Sequence, residues 1–199
     1  MEDDRALKGR LGEVDPDQAA LMGRNPTTFS SDALPFYQRF RLLRATVDLP
    51  HTDLVFTYAD SGAEIVPLTG EPADVYRLNE AEELRLTEAQ LVPYLRFFLK
   101  HTAGSAMPDR LLVEEAGELE WLSRTEDDAE SKAARAAASA QVHPVRATRV
   151  GPGYRVVATV WANLVLAELT LRVDEAGRVT EEGARILCED LPVVETMTG

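Results

Sequence analysis

The sequence is poor in the residues that build disulfides and metal centres, with one cysteine, Cys188, and three histidines. A single cysteine cannot form an intramolecular disulfide, which is typical of proteins in a reducing cytoplasm. His51, His101 and His143 lie far apart in the sequence, whereas a zinc site needs three or four converging ligands. We therefore predict a cytoplasmic protein with no metal and no cofactor.

Long apolar runs and an excess of basic charge are also missing. No apolar run approaches the roughly 20 residues of a membrane-spanning helix, and the acidic start MEDDRALKGR has no apolar core like that of a secretory signal. The formal net charge is -13, and nucleic-acid binding begins with neutralisation of phosphates. The sequence therefore predicts no membrane and no nucleic-acid partner.

Familiar catalytic motifs are absent from the sequence as well. It contains no Gly-Lys-Ser/Thr phosphate loop, no Gly-x-Ser-x-Gly elbow and no His-Glu-x-x-His. We therefore predict no catalytic residues from motifs.

The clearest structural signal is one helix over about residues 87–103. Thr87 and Gln90 have the spacing of a capping box, and Gly104 is a natural helix end. The large apolar residues repeat at helical spacing and define one buried face; they are Leu91, Tyr94, Leu95, Phe98 and Leu99. This pattern predicts a helix that packs against a sheet.

Alternating apolar residues and turn signals predict antiparallel strands elsewhere. In the last third, turns at 151–153 and 174–177 separate long strands. In the first half, the segment 36–47 fits either helix or strand, and its Thr-Val ending favours a strand over 38–47. Shorter strands are predicted in DLVFTYA, AEIVPL and DVYRLN, and a hairpin in RLLVEEAGELEWLS.

These elements predict an α+β fold, with curved antiparallel sheets packed around the main helix. An exposed Ala-rich helix is expected at about 125–140, because that segment lacks large apolar residues. Residues 1–34 show no sustained period and are interpreted as an N-terminal arm, flexible or docked, whereas 35–199 form a single domain.

Five residues are candidates for ligand binding. On a strand, Arg39 and Arg41 would share a face and hold a carboxylate or phosphate, although pairing with surface acids is the simpler role. The hydroxyl of Tyr94 could reach polar surroundings. Trp161 and Asn163, near a strand end, could line a pocket mouth, or Asn163 could shape the turn.

The segments FYQRFRLLR, LTEAQLVPYLRFF, WANLVLAELTLRV and EDLPV together resemble a group of uncharacterised bacterial proteins, over about residues 36–194. That resemblance implies no activity and no catalytic residue. One long helix followed by a hairpin and long antiparallel strands is also similar to cystatin-like and nuclear-transport-factor-like layouts. Those layouts imply a curved sheet around the helix that often leaves a pocket, at the level of fold alone.

The absence of a catalytic constellation favours a non-enzymatic protein that binds a small molecule or another protein. The alternative is an enzyme with a pocket between sheet and helix, whose acid and base residues come together only on folding. A homodimer joined through the long C-terminal strands is a further expectation.

Overall fold

The computed structural model describes residues 4–104, 110–121, 129–191 and 193. Within this part, five α-helices and two antiparallel sheets form an α+β fold. The helices are α1 (Asp4–Val14), α2 (Pro16–Arg24), α3 (Pro72–Ala81), α4 (Glu88–Lys100) and α5 (Ala129–Gln141). No helix in the described part is long and apolar enough to cross a membrane.

The strands fall into two sheets with antiparallel neighbours throughout. Sheet A has the order β1-β2-β3-β4 and sheet B the order β5-β7-β8-β9, with β6 also pairing with β7. Sheet A consists of β1 (Thr27–Ala33), β2 (Arg41–Leu49), β3 (Thr52–Asp60) and β4 (Ile65–Pro67). Sheet B consists of β5 (Leu111–Leu112), β6 (Arg146–Val150), β7 (Gly153–Ala162), β8 (Val165–Asp174) and β9 (Val179–Cys188).

The layer of α3 and α4 shares one apolar core with both sheets. This core contains Leu42 of β2 and Val66 of β4, and on the other side Val156 of β7 and Leu169 of β8. A second core joins α1 and α2 to sheet A, and a third joins α5 to Trp161 and Leu166 of sheet B. The prediction of antiparallel sheets packed around one main helix is therefore confirmed.

Helix α4 follows the predicted pattern closely. It begins at Glu88, and the backbone N–H of Thr87 donates to the Gln90 side-chain oxygen at 3.1 Å. All five predicted apolar positions are buried, and Phe97 is buried beside them. The Ala-rich helix is also present as α5, mostly exposed, with Ala138 packed against the third core. Its predicted first residues, 125–128, lie outside the described residues.

The N-terminal segment is more structured than its sequence pattern indicated. Helices α1 and α2 bury Leu7, Leu11 and Met22 against sheet A. Strand β1 then pairs with β2 along its whole length, from Thr27 opposite Val47 to Ala33 opposite Arg41. The predicted domain boundary near residue 34 stays a prediction.

The predicted strand in DVYRLN is wrong, because this segment belongs to helix α3. Pro72 stands at the helix start, where its missing N–H costs nothing. Val75 and Leu78 are spaced by three residues and both are buried, which is a helical period. The β-branched and aromatic side chains of Val75 and Tyr76 favoured a strand locally, and packing against the core outweighed that preference.

The predicted hairpin in RLLVEEAGELEWLS is also wrong within the described residues. Only Leu111–Leu112 form a strand, and this strand pairs with β7. A short 3-10 turn at Ala116–Glu118 follows. Arg96 of α4 binds the carboxylates of Glu114 and Glu118 at 3.0 and 2.9 Å, so this segment folds onto the helix rather than back onto itself. Leu122 and Ser123 lie outside the described residues.

His101 follows the last turn of α4 in an enclosed position. It is buried, and its ring centroid lies 4.9 Å from that of Phe97. Burial, with the neighbouring charges of Lys100 and Arg44, lowers the pKa of His101 from 6.5 to about 3. The imidazole is therefore neutral in the folded protein at neutral pH.

This burial predicts a pH-dependent stability. Below pH 6.5 His101 is protonated in the unfolded chain, whereas in the folded chain it stays neutral down to about pH 3. The free energy of unfolding therefore falls as the pH falls through this window, by up to about 1.4 kcal/mol per pH unit. His101→Gln should flatten this part of the profile, measured by urea unfolding at several pH values. His51→Gln, in the exposed β2–β3 turn, is the control. Equal slopes for wild type and His101→Gln would contradict the prediction.

Candidate functional site

An open groove lies between the C-terminal half of α3, the α3–α4 loop and the β8–β9 turn. Its volume is about 560 Å³, and we call it the α3–α4 groove. The lining residues that matter for its chemistry are Tyr76, Asn79, Glu80, Glu83, Arg85 and Arg178. Polar, charged and aromatic side chains therefore meet in one concave surface.

The floor of this groove is fixed by a buried hydrogen-bond network centred on the Asn79 amide. The amide oxygen accepts from the Tyr37 hydroxyl at 2.6 Å. The amide nitrogen donates to the Tyr94 hydroxyl at 2.8 Å and to the Ala176 carbonyl at 3.0 Å. Tyr94 in turn donates to the Gly177 carbonyl at 2.5 Å. Since the polar atoms of Asn79 have partners, its burial carries little penalty.

The β8–β9 turn approaches this network so closely that it requires glycine at position 177. Gly177 has a φ of +78°, and a Cβ there would lie 2.6 Å from the Asn79 nitrogen and 2.7 Å from the Tyr94 oxygen. Burial raises the pKa of both Tyr37 and Tyr94. Both hydroxyls are therefore protonated donors at any physiological pH.

Glu82, at the end of α3, anchors the chain segment that enters β2. Its side chain is only 4 % exposed, and it accepts the backbone N–H groups of Gln38, Arg39 and Phe40 at 2.9, 2.8 and 3.0 Å. Burial raises the pKa of Glu82, but the three N–H groups and Arg39 outweigh that effect and lower it overall. The site therefore holds a stable carboxylate.

The charged residues at the mouth of the groove are incompletely paired. The Arg178 guanidinium lies 5.2 Å from the centre of the Tyr76 ring and 3.6 Å from the Glu80 carboxylate. Both charged side chains are largely exposed, so this ion pair contributes little. Arg85 is exposed and has no charged or hydrogen-bonded partner within the described residues. Arg85 can therefore bind an acidic group from outside the chain.

The two arginines predicted to bind a ligand lie near sheet A with separate intramolecular partners. Arg39 precedes β2 and donates to the Ala81 carbonyl, with Glu82 also 3.8 Å away. Arg41 begins β2 and donates to the hydroxyl and carbonyl of Ser31 at 3.0 and 3.2 Å. Arg41 also lines a second groove, of about 410 Å³, between α1 and sheet A. A shared role for the two stays a prediction.

The other three predicted residues occupy different places. Tyr94 belongs to the core that includes α4, beneath the α3–α4 groove, whereas Trp161 belongs to the core under α5 and is 1 % exposed. Asn163 has a φ of +51° in the two-residue turn between β7 and β8. The fold therefore does not bring the five residues into one site.

A second polar cluster surrounds Glu168 on the face of sheet B opposite α4. Its carboxylate contacts His143 at 2.9 Å, and Arg146 and Arg185 at 3.1 Å each. The hydrogen bond from His143, with the help of Arg185, lowers the pKa of Glu168 despite some burial. The other ring nitrogen of His143 lies 3.1 Å from the Pro144 carbonyl. Because both nitrogens face acceptors, His143 is not placed as a free general base.

Among the residues that the structure describes, no group of three or more His, Cys, Asp or Glu side chains could hold a metal ion.

Comparison with known proteins gives no relative for this fold and these sites, since no family model, no curated protein and no solved structure matches the chain. The similarity to uncharacterised bacterial proteins and the cystatin-like analogy therefore stay predictions.

Sequence reasoning missed Asn79, Arg85 and Arg178, which shape the groove. Asn79 follows Leu78 and lies four residues after Val75, a helical spacing that the strand interpretation of DVYRLN concealed. Arg85 and Arg178 are 93 positions apart in a sequence rich in arginine. No local signal brings them together, because their proximity results from the packing of α3 against the β8–β9 turn.

The Asn79 network predicts a specific cost for losing one hydroxyl. Tyr94→Phe leaves the buried Gly177 carbonyl and one Asn79 proton without a partner, which should lower the free energy of unfolding by about 1–3 kcal/mol. Tyr154→Phe is the matched control, because Tyr154 is also buried but its hydroxyl makes no hydrogen bond within the described residues. Urea denaturation compares the two. Equal effects would show that the network adds nothing beyond packing.

The Glu82 contacts predict an acid-sensitive anchor. A carboxylate with a lowered folded-state pKa stabilises the protein above its unfolded pKa of about 4.5, and this contribution is lost as the pH falls through the folded value. Glu82→Gln should therefore destabilise the protein at pH 7, with a difference from wild type that shrinks in acid. Glu83→Gln, exposed and without a side-chain partner within the described residues, should change stability little. If the difference in free energy of unfolding between wild type and Glu82→Gln did not change with pH, the charge-based explanation would be refuted.

Proposed function

We propose that this chain is a non-enzymatic binding protein whose α3–α4 groove holds a small molecule with an acidic group. The observation that carries the proposal is Arg85, which is exposed on the groove wall without a partner in the described chain. Arg178 lies in the same groove, over the Tyr76 ring, and its ion pair with Glu80 is exposed and long. Guanidinium groups bind carboxylate and phosphate oxygens through parallel hydrogen bonds.

The ligand that fits this groove carries a positive group as well. Glu80 and Glu83 line the same surface as the two arginines, and would repel a ligand that is only anionic. An ammonium group near the carboxylate of the ligand would complement them. The Tyr76 ring adds an apolar surface. The proposed class is therefore a zwitterion such as a free amino acid or a short peptide end.

The rigid floor supports this proposal in a second way. Binding costs free energy when loops must become ordered, and the Asn79 network already fixes α3, α4 and the β8–β9 turn relative to one another. The groove is thus shaped before a ligand arrives.

The alternative of an enzyme with a pocket between sheet and helix has less support. His101 is buried against Phe97, and it lines neither the α3–α4 groove nor the second groove. His143 has acceptors at both ring nitrogens. In the part of the chain that the structure describes, neither histidine lines one of these two grooves, where a general base would act.

A thermal-shift screen with the full chain tests the proposal. The probes are the free amino acids, with acetate and inorganic phosphate as simple anions. At least one amino acid should raise the melting temperature more than either anion, because only the zwitterion also pairs with Glu80 and Glu83. Each of Arg85→Ala and Arg178→Ala should weaken its binding at least about tenfold, the loss typical of one charged hydrogen bond.

Arg172→Ala is the matched control, because Arg172 on β8 is exposed and likewise without a partner within the described residues, but it lies outside the groove. If Arg172→Ala weakened binding as much as Arg85→Ala does, the binding would reflect general charge attraction. No shift with any probe would refute the proposed ligand class.

A further inference from the structure

Strand β9 is the end strand of sheet B and is open to solvent over most of its length. Residues 180–186 are all exposed, although β9 pairs with β8 on one side. Ile186 is 59 % exposed, the highest value among the exposed large apolar residues of the described chain. No described strand pairs with the other side of β9. Its backbone N–H and C=O groups on that side are available to another strand.

The charges of β9 are arranged asymmetrically about Gly183. Glu181 and Glu182 precede this glycine, and Arg185 follows it. The pairing with β8 skips Glu182, so this residue forms a β-bulge. As a result Glu182 and Arg185 lie on the same face of sheet B, where Glu182 contacts Arg155 at 3.1 Å and Arg185 contacts Glu168 at 3.1 Å.

We infer that β9 pairs with β9 of a second copy of this chain, antiparallel and about a two-fold axis near Gly183. Such an axis is perpendicular to the sheet, so the same face of both copies points the same way. Glu182 of each copy then lies beside Arg185 of the other. The two sheets B join into one continuous sheet across the axis, a self-complementary interface of the kind most common in homodimers.

The pairing extends the existing charge pattern instead of disrupting it. Across the interface the order becomes Arg155, Glu182, Arg185 of the second copy and Glu168 of the second copy, with alternating sign. The side chains of Arg155 and Arg185 are 61 % and 67 % exposed in their present contacts, so Arg185 can reach a second copy without leaving a buried position. A parallel arrangement would place glutamate beside glutamate and is disfavoured.

Gly183 also suits a position near the axis. A Cβ at this residue would meet no heavy atom within 4 Å, so the face of the sheet at Gly183 is open and a side chain placed there would not clash within the chain. The exposed part of Ile186 would be partly covered by the second copy. This inference is independent of the α3–α4 groove, because a monomer could bind the proposed ligand and a dimer could lack it.

Sedimentation velocity over a range of concentrations tests the association. The wild-type chain should form a dimer that dissociates on dilution. Arg185→Glu places two pairs of like charges at the interface and should weaken the dimer at least about tenfold. Arg146→Glu is the matched control, because Arg146 contacts the same Glu168 carboxylate from β6, at the other edge of the sheet. It should leave the association unchanged.

A mixing experiment separates the charge pairs from any effect on folding. Glu182→Arg and Arg185→Glu should each dimerise poorly alone and form a heterodimer when mixed, since each supplies the charge that the other lacks. Circular dichroism and a melting curve check that both fold. Equal weakening by Arg185→Glu and Arg146→Glu, or no heterodimer from two folded variants, would overturn the inference.

A thiol placed near the proposed axis gives a test that needs no charge reversal. In a Cys188→Ser background, Gly183→Cys should form an intermolecular disulfide under mild oxidation much faster than Thr148→Cys, an exposed position on β6. A wild-type chain that stays monomeric at every concentration would mean that the bulge and the charges of β9 protect a free edge instead. That result, or equal cross-linking of the two cysteine variants, would also overturn the inference.

Discussion

The structure depends on the burial of one layer of helices from two sides. Helices α3 and α4 lie between sheets A and B, and the core around them draws residues from both. A helix packed on two sides needs a wide apolar surface. Helix α4 has one because the buried side chains of Phe97 and Leu99 widen the face that Leu91 occupies. Tyr94 of α4 and Tyr37, from the segment between β1 and β2, lie in the same core and carry hydroxyls that would be costly to bury alone. The side-chain amide of Asn79 hydrogen-bonds to both hydroxyls. A single amide therefore allows both tyrosines to be buried with their polar atoms paired.

The elements that the sequence predicted well are those in which local preference and packing agree. In α4 the capping pair Thr87 and Gln90, the apolar period and Gly104 all indicate the same helix, and the structure has it. The alternation along β8 and the glycine-rich turn before β7 likewise predict the strands that form. Segment 72–81 is different, because Val75 and Tyr76 favour a strand whereas Pro72 and the three-residue spacing to Leu78 favour a helix. Packing of Val75 and Leu78 into the core decided between them.

The candidate site was much harder to predict than the fold, for a physical reason. Arg39 and Arg41 attract attention because they are two residues apart and would share a face of a strand, yet their guanidiniums have partners on different elements, Ala81 and Ser31. Arg85 and Arg178 are distant in sequence and share a groove. Local spacing reports which residues share a face of one element, whereas a groove forms between elements. Only the packing of α3 against the β8–β9 turn, fixed by Gly177 and Asn79, places those two arginines together.

The same layering explains why binding and association can occupy separate surfaces. The inner face of sheet B is used by α4, and part of its outer face by α5. The exposed parts of this sheet within the described residues include its turns and its two edge strands, β6 and β9. The β8–β9 turn borders the groove, whereas Gly183 and Arg185 lie further along β9, beyond the bulge at Glu182. A bulge interrupts the ladder between the two parts of the strand. The groove therefore depends on the turn before β9, fixed by Gly177, whereas the charges at 182 and 185 belong to the edge strand itself.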